Sequence, residues 1–124
     1  MKIESYRHLE VWQKSMALVA DIYRMTQAFP RDEIYGLTSQ LRRAVISVPA
    51  NTAEGWARNM TREYLQFLRI ARGSLLESET HLLIANSLGF IDEAEVETAL
   101  NQTQAINKML NGLINIVAVA TGRR

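Results

Sequence analysis

Between Val96 and Ala120, apolar or small residues return at alternating steps of three and four, through Val96, Ala99, Thr103, Ile106, Leu110, Leu113, Val117 and Ala120. Tyr64, Leu68, Ala71, Leu75, Ser78, Leu82 and Ala85 keep the same rhythm. A repeat of this period draws one stripe along an α-helix and none along a strand. Stripes of this length must be buried against one another, and helices that pack along such seams lie nearly parallel to each other. The two longest patterned segments therefore point to a helical bundle.

The remaining segments agree. Leu9, Trp12, Met16, Val19 and Tyr23 define the apolar side of a first helix over about 8–29, with Glu10, Lys14, Asp21 and Arg24 on the other side and Pro30 as its stop. A second helix, about 37–57, follows Leu37, Leu41, Val45 and Val48; Pro49 inside it predicts a kink or a short break. The third spans about 61–88, with Thr61 as N-cap and Glu63 in the first turn. Gly89 is placed to end it in a left-handed conformation, and Asp92 with Glu95 forms a capping box that opens the fourth, about 92–120. Short connections make neighbouring helices run back on each other, so the expected fold is all-α: an antiparallel, up-down-up-down four-helix bundle in one domain over 1–124. Beyond Lys108 the apolar residues leave the seam, because Met109, Ile114, Ile116 and Val119 cover further faces. That pattern predicts contact with another subunit, with central burial of this end in the monomer as the alternative.

Composition limits the chemistry. A chain of 124 residues, 48% apolar, is enough for one sizeable core. With no cysteine there is no disulfide, thiolate site or cysteine nucleophile, which fits a cytoplasmic protein. Neither a signal peptide nor a membrane span is expected, since the longest apolar tract is interrupted by Asn111, Gly112 and Asn115. The two histidines, His8 and His81, do not stand in the Glu-x-x-His spacing of a di-iron bundle, since Glu77 is four residues from His81, and the glycines form no phosphate loop. No catalysis, metal or cofactor is expected.

Charge is uneven although the net value is only +1. Arg42, Arg43, Arg58, Arg62, Arg69 and Arg72 face only Glu54 and Glu63 within their stretch of chain, whereas residues 73–107 carry six carboxylates and no lysine or arginine. Lys108, Arg123 and Arg124 make the C-terminal end basic again. The six arginines are candidates for contact with RNA or DNA phosphates, which guanidinium groups meet bidentately. Pairing with Glu54, Glu63, Glu77 and the carboxylates of the fourth helix is the structural alternative. Arg42, Arg43 and Glu54 read best as a network around Pro49, and Trp56 and Tyr64 as core residues rather than base-stacking ones.

Four blocks carry a family resemblance: LxVWQ (Leu9, Val11, Trp12, Gln13), FPxDExYGLTSQLRRA (Phe29 to Ala44), VPANxAEG (Val48 to Gly55) and FLxIARGSLxExET (Phe67 to Thr80). Over residues 8–91 the chain resembles the four-helix-bundle proteins encoded by open reading frames within intervening sequences of bacterial 23S ribosomal RNA genes. The fourth helix resembles them in pattern only. That family is related to the accessory (variability determinant) proteins of diversity-generating retroelements, pentameric barrels with positive surfaces that work with a reverse transcriptase and nucleic acid. The resemblance thus implies a homopentamer, and most members of the family have no established biochemical activity. Two roles follow as expectations: a nucleic-acid-associated oligomer, or a scaffold that presents its charged faces to a protein partner.

Overall fold

The computed structural model describes residues 5–122, so Arg123 and Arg124 of the basic C-terminal block lie outside the described residues. Four helices make up the fold: α1 (Glu10–Thr26), α2 (Leu37–Trp56), α3 (Arg62–Ser87) and α4 (Glu93–Ala120). Single 3-10 turns at Tyr6–His8 and Arg31–Glu33 precede α1 and α2, and no strand occurs among the described residues. Each helix packs on the next in sequence and α4 packs back on α1, while the backbones of the diagonal pairs stay apart. Cross-helix partners run in opposite senses. Ser47 meets Ser74 where Gly55 meets Tyr64 and Phe67, and Glu79 meets Thr103 where Arg72 meets Asn111. The bundle is antiparallel, up-down-up-down.

Local chemistry sets the helix ends. Thr61 Oγ1 accepts from the Tyr64 amide at 3.3 Å. Asp92 and Glu95 close both halves of a capping box, at 2.8 and 3.3 Å. Gly89 takes φ +79°, the left-handed turn that releases the chain from α3. α2 continues through Pro49 without a break, with the ring buried and the following Thr52 hydroxyl donating to the Val48 carbonyl at 2.8 Å.

The seams of α2 and α3 are buried as the spacing predicts, every one of those eleven positions being in the core. Two departures have physical causes. In α4, Leu113 is only half-buried and Ala120 is exposed, while Ile114 and Ala118 turn inward. A straight helix has 3.6 residues per turn, so strict heptad positions drift about 20° per heptad and the next residue takes over after about three. In α1 the whole stripe is one residue out of place: Val11, Ser15, Leu18, Ile22 and Thr26 are buried, whereas Met16 and Tyr23 are exposed at 44% and 37%. Ser15 and Thr26 bury cheaply because their hydroxyls donate to the carbonyls of Val11 and Ile22 at 2.7 and 2.8 Å. Counting apolar residues alone selects the neighbouring stripe. α1 also stops at Thr26, not at Pro30, and Phe29 folds inward against Phe90 with ring centres 5.6 Å apart. No helix among the described residues is long and apolar enough to cross a membrane.

Candidate functional site

α2 and α3 form the most extensive helix pair, and their close approach is set by Gly55. A Cβ there would stand 2.8 Å from both Phe67 Cβ and Tyr64 Cδ1. Tyr64 is buried in this crossing, and burial pushes its phenol up to about 12. Trp56 packs half-buried on the core. Both aromatic residues are thus occupied by packing.

The six arginines of this pair do not make one patch. Arg42 turns to α1, where Nε donates to Thr26 Oγ1 at 2.8 Å and the guanidinium lies 4.5 Å from the centre of the Tyr23 ring. Arg72 turns the other way, to α4, and donates to Asn111 Oδ1 at 2.9 Å. Arg58 pairs with Glu54 one turn back at 3.0 Å and sits over the Phe67 ring. Of these six, Arg43, Arg62 and Arg69 are exposed and have no carboxylate partner among the described residues. The expected network of Arg42, Arg43 and Glu54 does not form. Glu54 lies twelve residues beyond Arg42 on the same helix, roughly 18 Å along its axis, and takes Arg58 instead. Arg42 and Arg58 are about 24 Å apart by the same measure.

The α4 residues expected at a subunit contact also divide. Ile114 is 5% exposed and belongs to the bundle's own core, so that expectation is corrected for the reason given above: heptad drift carries it inward. Met109 is half-buried against the core. Ile116 and Val119 project outward, 59% and 66% exposed. A second apolar surface lies on the outward face of α3, formed by Ile70, Leu76, Leu83, Ile84 and Leu88. The signal was present in the sequence, since these residues are apolar and off the seam, as are those of α4.

His81 is buried on α3. It is 9% exposed, Nε2 lies 3.2 Å from Glu77 Oε2, and the buried Nδ1 has no hydrogen-bond partner. Beside this pair a cleft of about 330 Å³ opens between α2 and α3, lined by Gln40, Arg43, Ala44, Ser47, Ser74 and Glu77. No group of three metal-ligating side chains occurs among the described residues.

Comparison with known proteins agrees with this architecture. A crystal structure of a protein of unknown function from the S23 ribosomal protein family of Bacteroides thetaiotaomicron VPI-5482 superimposes with a TM-score of 0.75 at 23% sequence identity. The match covers 84% of this chain and 97% of that one, and it establishes likeness of fold. No curated protein matches the chain. The family model described as 23S rRNA-intervening sequence protein matches residues 7–112, which takes in all of α1, α2 and α3 and most of α4. The chain belongs to the 23S rRNA-intervening sequence protein family.

Proposed function

We propose that the protein works as a non-enzymatic, self-assembling scaffold whose copies meet through the outward face of α3 and the exposed apolar side of α4. One observation carries this reading: Ile70, Leu76, Leu83 and Ile84 on α3, with Leu88 at its C-cap, stand 41–58% exposed. Single exposed apolar residues are ordinary, but five gathered along one helix and its C-cap mark a contact surface. Faces on two different helices suit a heterologous contact that closes into a ring, and a pentamer is the size the family resemblance implies.

A second reading rests on Arg43, Arg62 and Arg69, whose guanidinium groups meet no carboxylate among the described residues. In an assembly these arginines recur in every copy and bind RNA or DNA phosphate. A protein partner, a reverse transcriptase included, fits the same scaffold. The protein needs no cofactor in either role and works in the cytoplasm.

Sedimentation tests the assembly. The wild type is expected as a particle several times its 14.1 kDa chain mass, and Leu83→Asp with Ile84→Asp, or Ile116→Asp with Val119→Asp, as a folded monomer. A wild-type monomer at micromolar concentration refutes the proposal. Filter binding to RNA and single-stranded DNA at low salt tests the second reading. Loss of each arginine should lower the slope of log affinity against log salt by roughly one. Absence of binding at low salt removes it. Co-purification of a stoichiometric protein without nucleic acid selects the protein partner.

A further inference from the structure

The cleft between α2 and α3 is lined by small side chains, Ala44 and Ser47 on α2 and Ser74 on α3. Its lining carries opposite charges that do not meet. Arg43 on α2 has no ion pair among the described residues, and Glu77 on α3 is bonded only to His81. Between them lies a hydroxyl pair. Ser74 Oγ and Ser47 Oγ are 2.9 Å apart, and the Asn51 amide donates to Ser47 Oγ at 2.7 Å. Two hydroxyls joined by a single bond leave one proton over, whichever of the two donates, and neither hydroxyl is bonded to a backbone carbonyl. The cleft thus offers a guanidinium and a free hydroxyl proton on one side and a carboxylate, held in place by a nine-tenths buried histidine, on the other.

We propose that this cleft binds a small zwitterion of the free α-amino acid class, with Arg43 and the serine hydroxyls taking the ligand carboxylate and Glu77 its ammonium group. The volume exceeds what an amino-acid backbone needs, leaving room for a side chain beside Gln40. A simple anion fits worse, because Glu77 repels it. An open, solvated cleft with two charge-assisted contacts binds weakly, with a Kd on the order of 1 mM. Glu77 lies one heptad from Ile70 and one from Ile84, so the site borders the face proposed for assembly.

The test follows the amide chemical shifts of isotope-labelled full-length protein during titration with each common free L-amino acid, and with inorganic phosphate and acetate in parallel. At least one amino acid should give saturable shifts at Arg43, Ser47 and Ser74, exceeding those from phosphate or acetate. Arg43→Gln and Glu77→Gln should each weaken that binding about tenfold or more, since each removes one charge-assisted contact. Both residues are exposed, so the variants should keep the parent's denaturation midpoint within experimental error. Glu77→Gln separates this site from a phosphate surface: removing the carboxylate weakens zwitterion binding and strengthens polyanion binding. The proposal is overturned if no amino acid shifts these amides, if phosphate or acetate shifts them as strongly, or if Glu77→Gln tightens amino-acid binding.

Discussion

Two alanine substitutions in the same pair of helices should act in opposite directions. Gly55 and Gly73 both lie inside helices, so replacing either with alanine gains about 1 kcal/mol of helix propensity. At Gly73 nothing lies within 4 Å of the added methyl, and that gain should appear undiminished. At Gly55 the methyl would sit 2.8 Å from Phe67 Cβ and from Tyr64 Cδ1, and 3.3 Å from the Tyr64 carbonyl oxygen. Ordinary contact begins at 3.4 Å, and Phe67 Cβ is fixed to the α3 backbone, so relief requires the two helices to separate. Overpacking of this kind costs about 1–3 kcal/mol, and parting the tightest helix pair puts the cost at the upper end. Gly55→Ala should therefore be less stable than the parent by about 1–2 kcal/mol, and Gly73→Ala more stable by up to about 1 kcal/mol. The gap of about 2–3 kcal/mol corresponds to a separation of Tm of roughly 10 °C between the variants. Urea denaturation followed by far-UV circular dichroism, at one protein concentration for all three proteins, measures it. If Gly55→Ala matches or exceeds the parent in stability, close approach of α2 and α3 is not what holds a glycine at that position.

Tyr64 makes stability depend on alkaline pH. Its folded-state value, about 12, lies above the ordinary 10 because burial disfavours the phenolate. Between these values the unfolded chain has lost a proton that the folded chain keeps, so stability falls by at most about 1.4 kcal/mol per pH unit, and Tyr64→Phe should flatten that slope. An unchanged slope counts against the buried phenol. Arg42 should behave as a structural residue: Arg42→Ala loses a hydrogen bond to Thr26 and the contact with Tyr23, costing about 1–2 kcal/mol in urea denaturation. Nucleic-acid affinity should not change with it. A variant as stable as the parent refutes the tie between α1 and α2.

What could be read from the sequence follows from how much each feature depends on neighbours. Periodicity belongs to a single helix, so the α2 and α3 seams and the caps at Thr61 and Asp92 were legible without a structure. Burial of Ser15 and Thr26 depends on whether their hydroxyls find a carbonyl within their own helix, which a count of apolar residues does not register. The inward turn of Ile114 accumulates over three heptads and is invisible in any one of them. Arginines are the least legible. Each side chain reaches several ångströms in a direction set by tertiary neighbours, and so Arg42 and Arg72, thirty residues apart on adjacent helices, end on opposite sides of the pair.

The charge blocks of the sequence become ends of the molecule through the antiparallel connections. Residues 42–72 straddle the connection from α2 to α3, and residues 73–107 straddle the one from α3 to α4, at the opposite end. Arg58, Arg62 and Arg69 therefore gather toward one end, and Asp92, Glu93, Glu95 and Glu97 at the other. On a single copy this separation matters little, because Arg58 is paired and exposed charges are screened within about 10 Å at 0.1 M salt. In the proposed assembly, copies packed side by side with their axes parallel would bring like ends together into one basic rim and one acidic rim. Such a rim attracts a polyanion far more strongly than the nearly neutral chain does. Assembly and phosphate binding should then be coupled, so that substitutions on the outward face of α3 which dissociate the oligomer also abolish nucleic-acid affinity, with every arginine still in place.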